Sequence, residues 1–225
     1  MITNDNRIRI IIGHYGSGKS EFAINYVTKL RSEVDGKVAL SDLDVVNVYF
    51  RTREKKELLK SLDILPIDSS IDAPTLDLPA ISGQISAPIN DKSYDYVMDV
   101  GGDNVGARVV GRFSHLIEKN DYDMFCVVNA NREQTQTANK VIDHIKAIEK
   151  SSGLKVTGLI NNTHLIRSTT IDDILRGQVL VEEVSTLCNI PIKYVVCMEK
   201  LVSQLPKDLK GEVFPIQLYM REDWM

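Results

Sequence analysis

The chain has 225 residues, 43% of them hydrophobic and 26% charged. These values support a buried core and exclude intrinsic disorder as the overall state. With 27 basic against 31 acidic residues the formal net charge is -4, which argues against a protein that lives by phosphate-backbone contacts, so no nucleic-acid partner is expected.

Strand-like and helix-like patterns alternate along the chain. Ile8–Ile12 is β-branched and nearly all apolar, as a strand buried on both faces should be. From Lys19 to about Ser32, apolar Phe22, Ala23, Tyr26, Val27 and Leu30 recur at helical spacing, and Asp35-Gly36 ends the run. Val38–Asp42 reads as a strand and Arg53–Leu62 as a short charged helix. Pro66–Asn90 is broken by Pro66, Pro74, Pro79 and Pro88, and loops with one short helix are expected there. Then follow a strand at Tyr94–Val100, a helix at Asp103–Glu118, a strand at Met124–Val128 and a helix at Thr135–Lys150. A strand at Val156–Ile160, a helix at Thr170–Leu187 and a strand at Ile192–Val196 complete the alternation. It predicts an α/β chain in three layers, a mostly parallel sheet with helices on both faces, in a single domain over residues 1–225.

Cys126, Cys188 and Cys197 are too few and too scattered for a disulfide framework, and none has metal-ligand spacing. The N-terminus has no signal-peptide pattern, and no apolar run approaches the ~20 residues of a membrane span. The last segment, Pro215–Met225, alternates like a strand and carries two acids beside its one Arg, so a final strand or docked tail is expected rather than a membrane anchor. The chain reads as cytoplasmic. His115, His144 and His164 fit no metal motif and read as structural.

The strongest local signal is Gly13-His14-Tyr15-Gly16-Ser17-Gly18-Lys19-Ser20, which fits GxxxxGK[ST]. A chance match somewhere in such a chain has a probability of about one per cent. A buried strand precedes it and an amphipathic helix led by Ser20-Glu21 follows, as the motif requires. Glycines let successive N–H groups converge on one anion, and the helix N-terminus adds partial positive charge. Lys19 can then reach the β- and γ-phosphates of a nucleotide, and the Ser20 hydroxyl can coordinate Mg²⁺.

A phosphate loop needs a metal-ordering acid at the end of another strand. Asp99 ends a strand ahead of Gly101-Gly102, where it faces the ligand crevice of an open α/β sheet. Gly102 can bring its N–H close to a γ-phosphate, while Asp103 suits the cap of the next helix. Asp42 and Asp44, two apart in an extended segment, both point into the same crevice, one toward Mg²⁺ through water and one toward an attacking water.

With these segments placed, the chain resembles the ParA/MinD-like P-loop ATPases, the group that includes nitrogenase iron protein and the CobQ/CobB enzymes. The matching stretches are Ile10–Ser20, Val38–Asp44 and Tyr96–Gly102, with Val127-Val128-Asn129 and Gly158–Asn162 added. The resemblance implies a P-loop NTPase fold that binds ATP or ADP with Mg²⁺. It implies that Asp44 positions the hydrolytic water with Asp42 as companion, that Asp99 supports the metal, and that Asn162, or Asn161 one register away, reads the adenine edge. There is one departure. The family's signature Lys, which reaches the partner's nucleotide in a dimer, is replaced by His14, with Tyr15 after it. A nucleotide-sandwich homodimer is therefore left without its usual lysine.

Beside a plain nucleotide-binding module with negligible turnover, two functional readings remain open. One is an ATPase switch acting on a protein partner or cargo. The other is an ATP-dependent small-molecule ligase or kinase of the CobB or dethiobiotin-synthetase kind, with Arg51 and the 66–90 segment as its substrate pocket. Arg51, Arg53, Tyr49 and Phe50 follow the acid pair and suit either a loop beside the nucleotide or a plain charged helix start.

Overall fold

Ile8, Ile10 and Ile12 of strand β1 (Ile8–Ile12) turn to one side and Ile11 to the other, and all are buried. A strand that is apolar on both faces belongs in the middle of a sheet. The computed structural model, which describes residues 2–44, 55–68 and 78–220, puts it there. The other strands are β2 (Lys37–Leu43), β3 (Ile64–Asp68), β4 (Tyr94–Val100), β5 (Tyr122–Val128), β6 (Gly158–Asn161), β7 (Ile192–Met198) and β8 (Glu212–Ile216). They form one sheet in the order β3-β2-β4-β1-β5-β6-β7-β8, every neighbouring pair parallel.

Parallel strands need covered crossovers, and helices cover both faces of this sheet. Phe22, Tyr26, Val27 and Leu30 of α1 (Lys19–Glu33) and Leu59 of α2 (Lys56–Ser61) pack on one face with Ile11, Phe125, Tyr194 and Phe214. The other face carries α3 (Leu78–Asn90), α4 (Asn104–Gly111), α5 (Ala138–Ser152) and α6 (Ile171–Cys188). The three-layer expectation holds.

Three boundaries differ from the sequence pattern. Strand β3 was expected to be loop from Pro66 onward. Proline lacks the N–H of a ladder bond, but β3 is the sheet's edge strand, where that loss is tolerated. The short helix expected within 66–90 is the 13-residue α3, with Pro88 in its last turn. The single helix expected at Asp103–Glu118 is the shorter α4 followed by a 3-10 turn at Ser114–Leu116. The break falls at Gly111, where a Cβ would lie 2.9 Å from the Ser151 carbonyl oxygen, so α4 ends against α5. Asp103 caps α4 as expected, its Oδ1 accepting the N–H groups of Val105 (3.1 Å) and Gly106 (2.9 Å).

The sheet order fixes the position of the site. β1 lies between β4 and β5, so the loop leaving its C-terminal end has the ends of β2 and β4 on one side and those of β5 and β6 on the other. That is the crevice where open α/β sheets take their ligands.

Candidate functional site

The loop from Gly13 to Ser20 joins β1 to α1. Gly16 and Gly18 have φ of 77° and 84°, the left-handed region that favours glycine, and Gly13 has φ of 154°. Gly18 is the N-cap of α1 and offers no side-chain acceptor, so the first-turn N–H groups remain available to an anion. The turn closes on itself through the Ser17 N–H and the His14 carbonyl at 3.0 Å. Lys19 is buried in the first turn of α1.

Acids converge from the β2/β4 side. Asp42 and Asp99 are direct register partners across the β2–β4 pair, which sets two carboxylates side by side. The Asp44 N–H donates to Asp42 Oδ1 at 3.1 Å, and Asp44 Oδ2 lies 3.9 Å from Lys19 Nζ. Asp44 also borders Gly101, where an added Cβ would sit 3.2 Å from its Oδ1. All three acids are buried. Neither oxygen of Asp99 receives a hydrogen bond of good geometry. Burial first, then Asp42 and more weakly Asp44, push its carboxyl up to about 7, with Lys19 and the nearby Ser20 hydroxyl pulling the other way. A fully buried carboxyl with two orphaned oxygens beside a serine hydroxyl fits a hard divalent cation. Ser20, Asp99 and Asp42 are the groups that would hold such a cation. Gly102 closes this side. A Cβ there would lie 2.3 Å from the Gly13 carbonyl oxygen and 3.0 Å from the Tyr15 nitrogen, so only glycine lets the β4–α4 loop touch the phosphate loop.

Amides secure the loop from the β5/β6 side. Asn129, fully buried at the end of β5, donates to the carbonyls of Gly16 and His164, both at 3.4 Å. Its Oδ1 accepts the N–H groups of Asn131 (3.0 Å) and His164 (3.3 Å). Asn162 donates to the Ser17 carbonyl at 2.7 Å. Asn161 turns away from the loop, its amide donating to the Ile174 carbonyl (3.0 Å) and to Gln178 (3.1 Å) on the α6 side. Of the two candidate base readers, Asn162 borders the cavity beside the loop and Asn161 does not.

That cavity runs from the phosphate loop, past Asn162, Thr163 and His164, to an apolar end made by Val196, Met198, Ile216 and Met220. It has the character of a nucleotide groove, a cationic and N–H-rich end joined to an apolar slot. Ile166 on its wall has φ of 58°, which strains a β-branched residue by about 1–3 kcal/mol. His164 Nδ1 accepts the Ile166 N–H at 3.2 Å and helps to hold this turn.

Glu21 also borders the cavity, but its carboxylate receives the backbone N–H groups of Tyr219 and Met220. Asn25 exchanges hydrogen bonds with Gln217, at 2.9 Å in each direction. Residues 217–220 are thus docked on α1 with β8 ending just before them, and residues 221–225 of the expected final strand or docked tail lie outside the described residues. His14 meets the ring of His144 edge-on at 5.6 Å. Burial, then His14 and Lys19, push the His144 imidazole down to about 4, and its Nε2 has no hydrogen-bond partner.

The structure brings together Gly13 to Ser20, Asp42, Asp44, Asp99, Gly102 and Asn162. Tyr49, Phe50, Arg51 and Arg53 lie outside the described residues, as do residues 69–77 of the expected substrate segment. Sequence reasoning missed Arg132, whose Nε donates to the Gly16 carbonyl at 3.1 Å. It also missed Asn129 as a loop anchor; its place at a strand's carboxyl end was the signal that marked Asp99.

No family model and no curated protein matches this chain. Solved structures do. FtsY from Mycoplasma mycoides aligns over 84% of this chain and 59% of its own, at 18% identity and a TM-score of 0.56. The cell division protein FtsY from Thermotoga maritima aligns over 83% and 60%, at 15% identity and a TM-score of 0.55. The signal recognition particle receptor FtsY from Elizabethkingia anophelis, solved in complex with GDP, aligns over 83% and 55%, at 14% identity and a TM-score of 0.50. The chain therefore spans about three fifths of the length of the structures it matches. At such identities the likeness shows the fold, and the fold is that of the α/β P-loop NTPases. Among the described residues no helix is long and apolar enough to cross a membrane.

Proposed function

We propose that this chain is a Mg²⁺-dependent P-loop ATPase whose two acid-bearing loops, after β2 and after β4, change shape with the phosphate state of the bound nucleotide. The observation that carries this reading is Asp99, a fully buried carboxyl that receives no hydrogen bond of good geometry, set among Asp42, Asp44, Lys19 and the Ser20 hydroxyl under a glycine loop. Such a group is costly in an empty protein and is explained by a bound cation.

The roles follow from position. First-turn N–H groups of α1 and Lys19 hold the β- and γ-phosphates. Mg²⁺, supported by Ser20, Asp99 and Asp42, would neutralise charge on the phosphates. Asp44, within 3.9 Å of Lys19, orients the attacking water and accepts its proton. Gly102, in contact with the phosphate loop, senses the γ-phosphate and passes its presence to α4.

The choice of ATP over GTP is supported by what borders the cavity. Guanine presents N1–H and N2–H groups that call for a carboxylate acceptor. The acid bordering the cavity is Glu21, whose carboxylate is engaged by the Tyr219 and Met220 N–H groups. The sequence resemblance to ParA/MinD-like ATPases points the same way, whereas one FtsY likeness was solved with GDP. The output would be control of a protein partner or cargo.

The test is calorimetric binding of MgATP and MgGTP, with steady-state phosphate release. The parent should prefer MgATP, and Lys19→Ala should lose affinity with unchanged circular dichroism. Stronger displacement of an ATP analogue by GTP than by ATP would overturn the base assignment, and full affinity in Lys19→Ala would overturn the site. Turnover that appears only with an added metabolite would favour the ligase or kinase reading.

A further inference from the structure

Lys19 is the cation that the loop motif supplies. A second one stands on the loop's other side. Arg132 lies in the connection from β5 to α5, and its Nε donates to the Gly16 carbonyl at 3.1 Å. The guanidinium lies over Gly16 so closely that a Cβ at that position would be 2.7 Å from Nε and 2.8 Å from Cζ. The positive φ of Gly16 requires glycine, and the absence of a side chain there lets the arginine lie directly over the loop. The same guanidinium borders the cavity together with Lys19, Gly18 and Asn162.

The surroundings of Arg132 do not account for its charge. Among the described residues it makes no ion pair, and only Nε donates a hydrogen bond, leaving Nη1 and Nη2 without protein acceptors. Meanwhile Lys19, the N-terminus of α1 and this guanidinium converge on one place; Asp44 lies 3.9 Å from Lys19, and Glu21 in the first turn of α1 is engaged by the Tyr219 and Met220 N–H groups. Converging positive charge is unfavourable until an anion arrives. A long side chain ordered in an exposed position also loses much rotamer freedom for one neutral hydrogen bond. Both costs are recovered if an anion lies within reach of the two terminal nitrogens, since a guanidinium is always charged and its fork matches two phosphate oxygens.

We propose that Arg132 is a nucleotide-binding residue: anchored on Gly16 through Nε, it donates Nη1 and Nη2 to the polyphosphate chain of the bound nucleotide. The inference rests on the nucleotide reading above and adds a contact that the loop motif does not contain. It also gives the Asn129–Thr135 connection a purpose. Asn129 and Arg132 hold the Gly16 carbonyl from one short segment, so that segment fixes both the loop and its second cation.

The alternative is a clamp that only steadies the Gly16 carbonyl. Charge separates the two, because a direct ionic contact is screened by salt and a clamp is not. The experiment measures MgATP and MgADP affinity at several salt concentrations for the parent, Arg132→Gln and Arg132→Lys, with circular dichroism to verify folding. Arg132→Gln should bind both nucleotides about 10- to 100-fold more weakly, with a flatter salt dependence. Arg132→Lys should keep the parent's salt dependence and recover part of the affinity. Equal salt dependence in the parent and Arg132→Gln, or equal losses in both variants, would mean a clamp and overturn the proposal. A parent that binds nucleotide while Arg132→Gln matches it refutes this inference alone. A parent that binds no nucleoside triphosphate refutes the nucleotide reading and this inference with it.

Discussion

Replacing Asp99 by Asn should stabilise the ligand-free protein while destroying its function. The native carboxyl is raised from the ordinary 3.8 to about 7, chiefly by burial and by Asp42. In the unfolded chain the same group ionises freely near 3.8. Above both values folding therefore pays for burying a carboxylate, about 4 kcal/mol at ~1.36 kcal/mol per pH unit. An asparagine keeps the shape and removes the charge, but its buried amide costs roughly 1–2 kcal/mol unless Asp42 accepts from it. The net gain is about 2–3 kcal/mol, which raises the melting temperature of a chain this size by roughly 4–12 °C. Thermal unfolding in chelator at about pH 7.5 and about pH 5 measures it, and the gain should shrink toward acid, where native Asp99 is already protonated. The same variant should lose Mg²⁺-dependent nucleotide binding. A lower melting temperature at about pH 7.5, or a gain that ignores pH, would refute the view of Asp99 as a strained group awaiting a cation.

Two other substitutions follow from the site. Asp44→Ala should keep MgATP affinity within a few-fold while phosphate release falls by on the order of 10²–10⁴, because holding the attacking water matters near the transition state; release at the parent rate would move the role to Asp42. Ile166→Asn should raise the melting temperature of the ligand-free protein, since asparagine tolerates the positive φ that strains isoleucine, a gain of about 1 kcal/mol readable by calorimetry; an unchanged or lower value would mean that the apolar contacts of Ile166 outweigh its strain.

Much of this was legible in the sequence because it is local. The spacing of Gly13, Gly16, Gly18 and Lys19 encodes the turn, and the apolar runs of β1, β4 and β5 mark strands buried on both faces. Asp103 announced its cap by preceding a helix. The parts that were not legible are contacts between distant segments. Arg132 meets Gly16 across 116 positions, and Glu21 meets Tyr219 across 198. No periodicity records such a pairing. Strand β3 was hidden for another reason, since Pro66 argues against a strand unless the segment is known to be an edge, and edges belong to the assembled sheet. Asn161 and Asn162 are adjacent and chemically identical, and only the course of the chain at the end of β6 turns one to α6 and the other to the phosphate loop.

The acid–base character of the site also yields an expectation that neither group gives alone. Asp99, raised to about 7, holds a proton in the native state that the unfolded chain has released above 3.8. Through that window its contribution makes stability fall as pH rises. His144 does the reverse. Its native imidazole is pushed down to about 4 by burial and by His14 and Lys19, while the unfolded imidazole protonates near 6.5. Between those values the unfolded state binds the extra proton, so its contribution makes stability rise with pH, and it is lost as pH falls through 4. The two windows overlap from about 4 to about 6.5, each group contributing a slope of up to ~1.36 kcal/mol per pH unit, of opposite sign. In the parent they cancel over that range. Removing either should expose the other: relative to the parent, Asp99→Asn should gain stability as pH rises from about 4 to about 6.5, and His144→Gln should lose it. Titrating groups remote from both sites are common to the three proteins and drop out of the comparison, while Asp99 titrates together with the neighbouring Asp42, so its slope is that of the pair. Denaturant unfolding across this range is the measurement. Divergence of the two variants in opposite directions supports the assignment of one proton to each group, and parallel curves for all three would remove both groups from the account of the site.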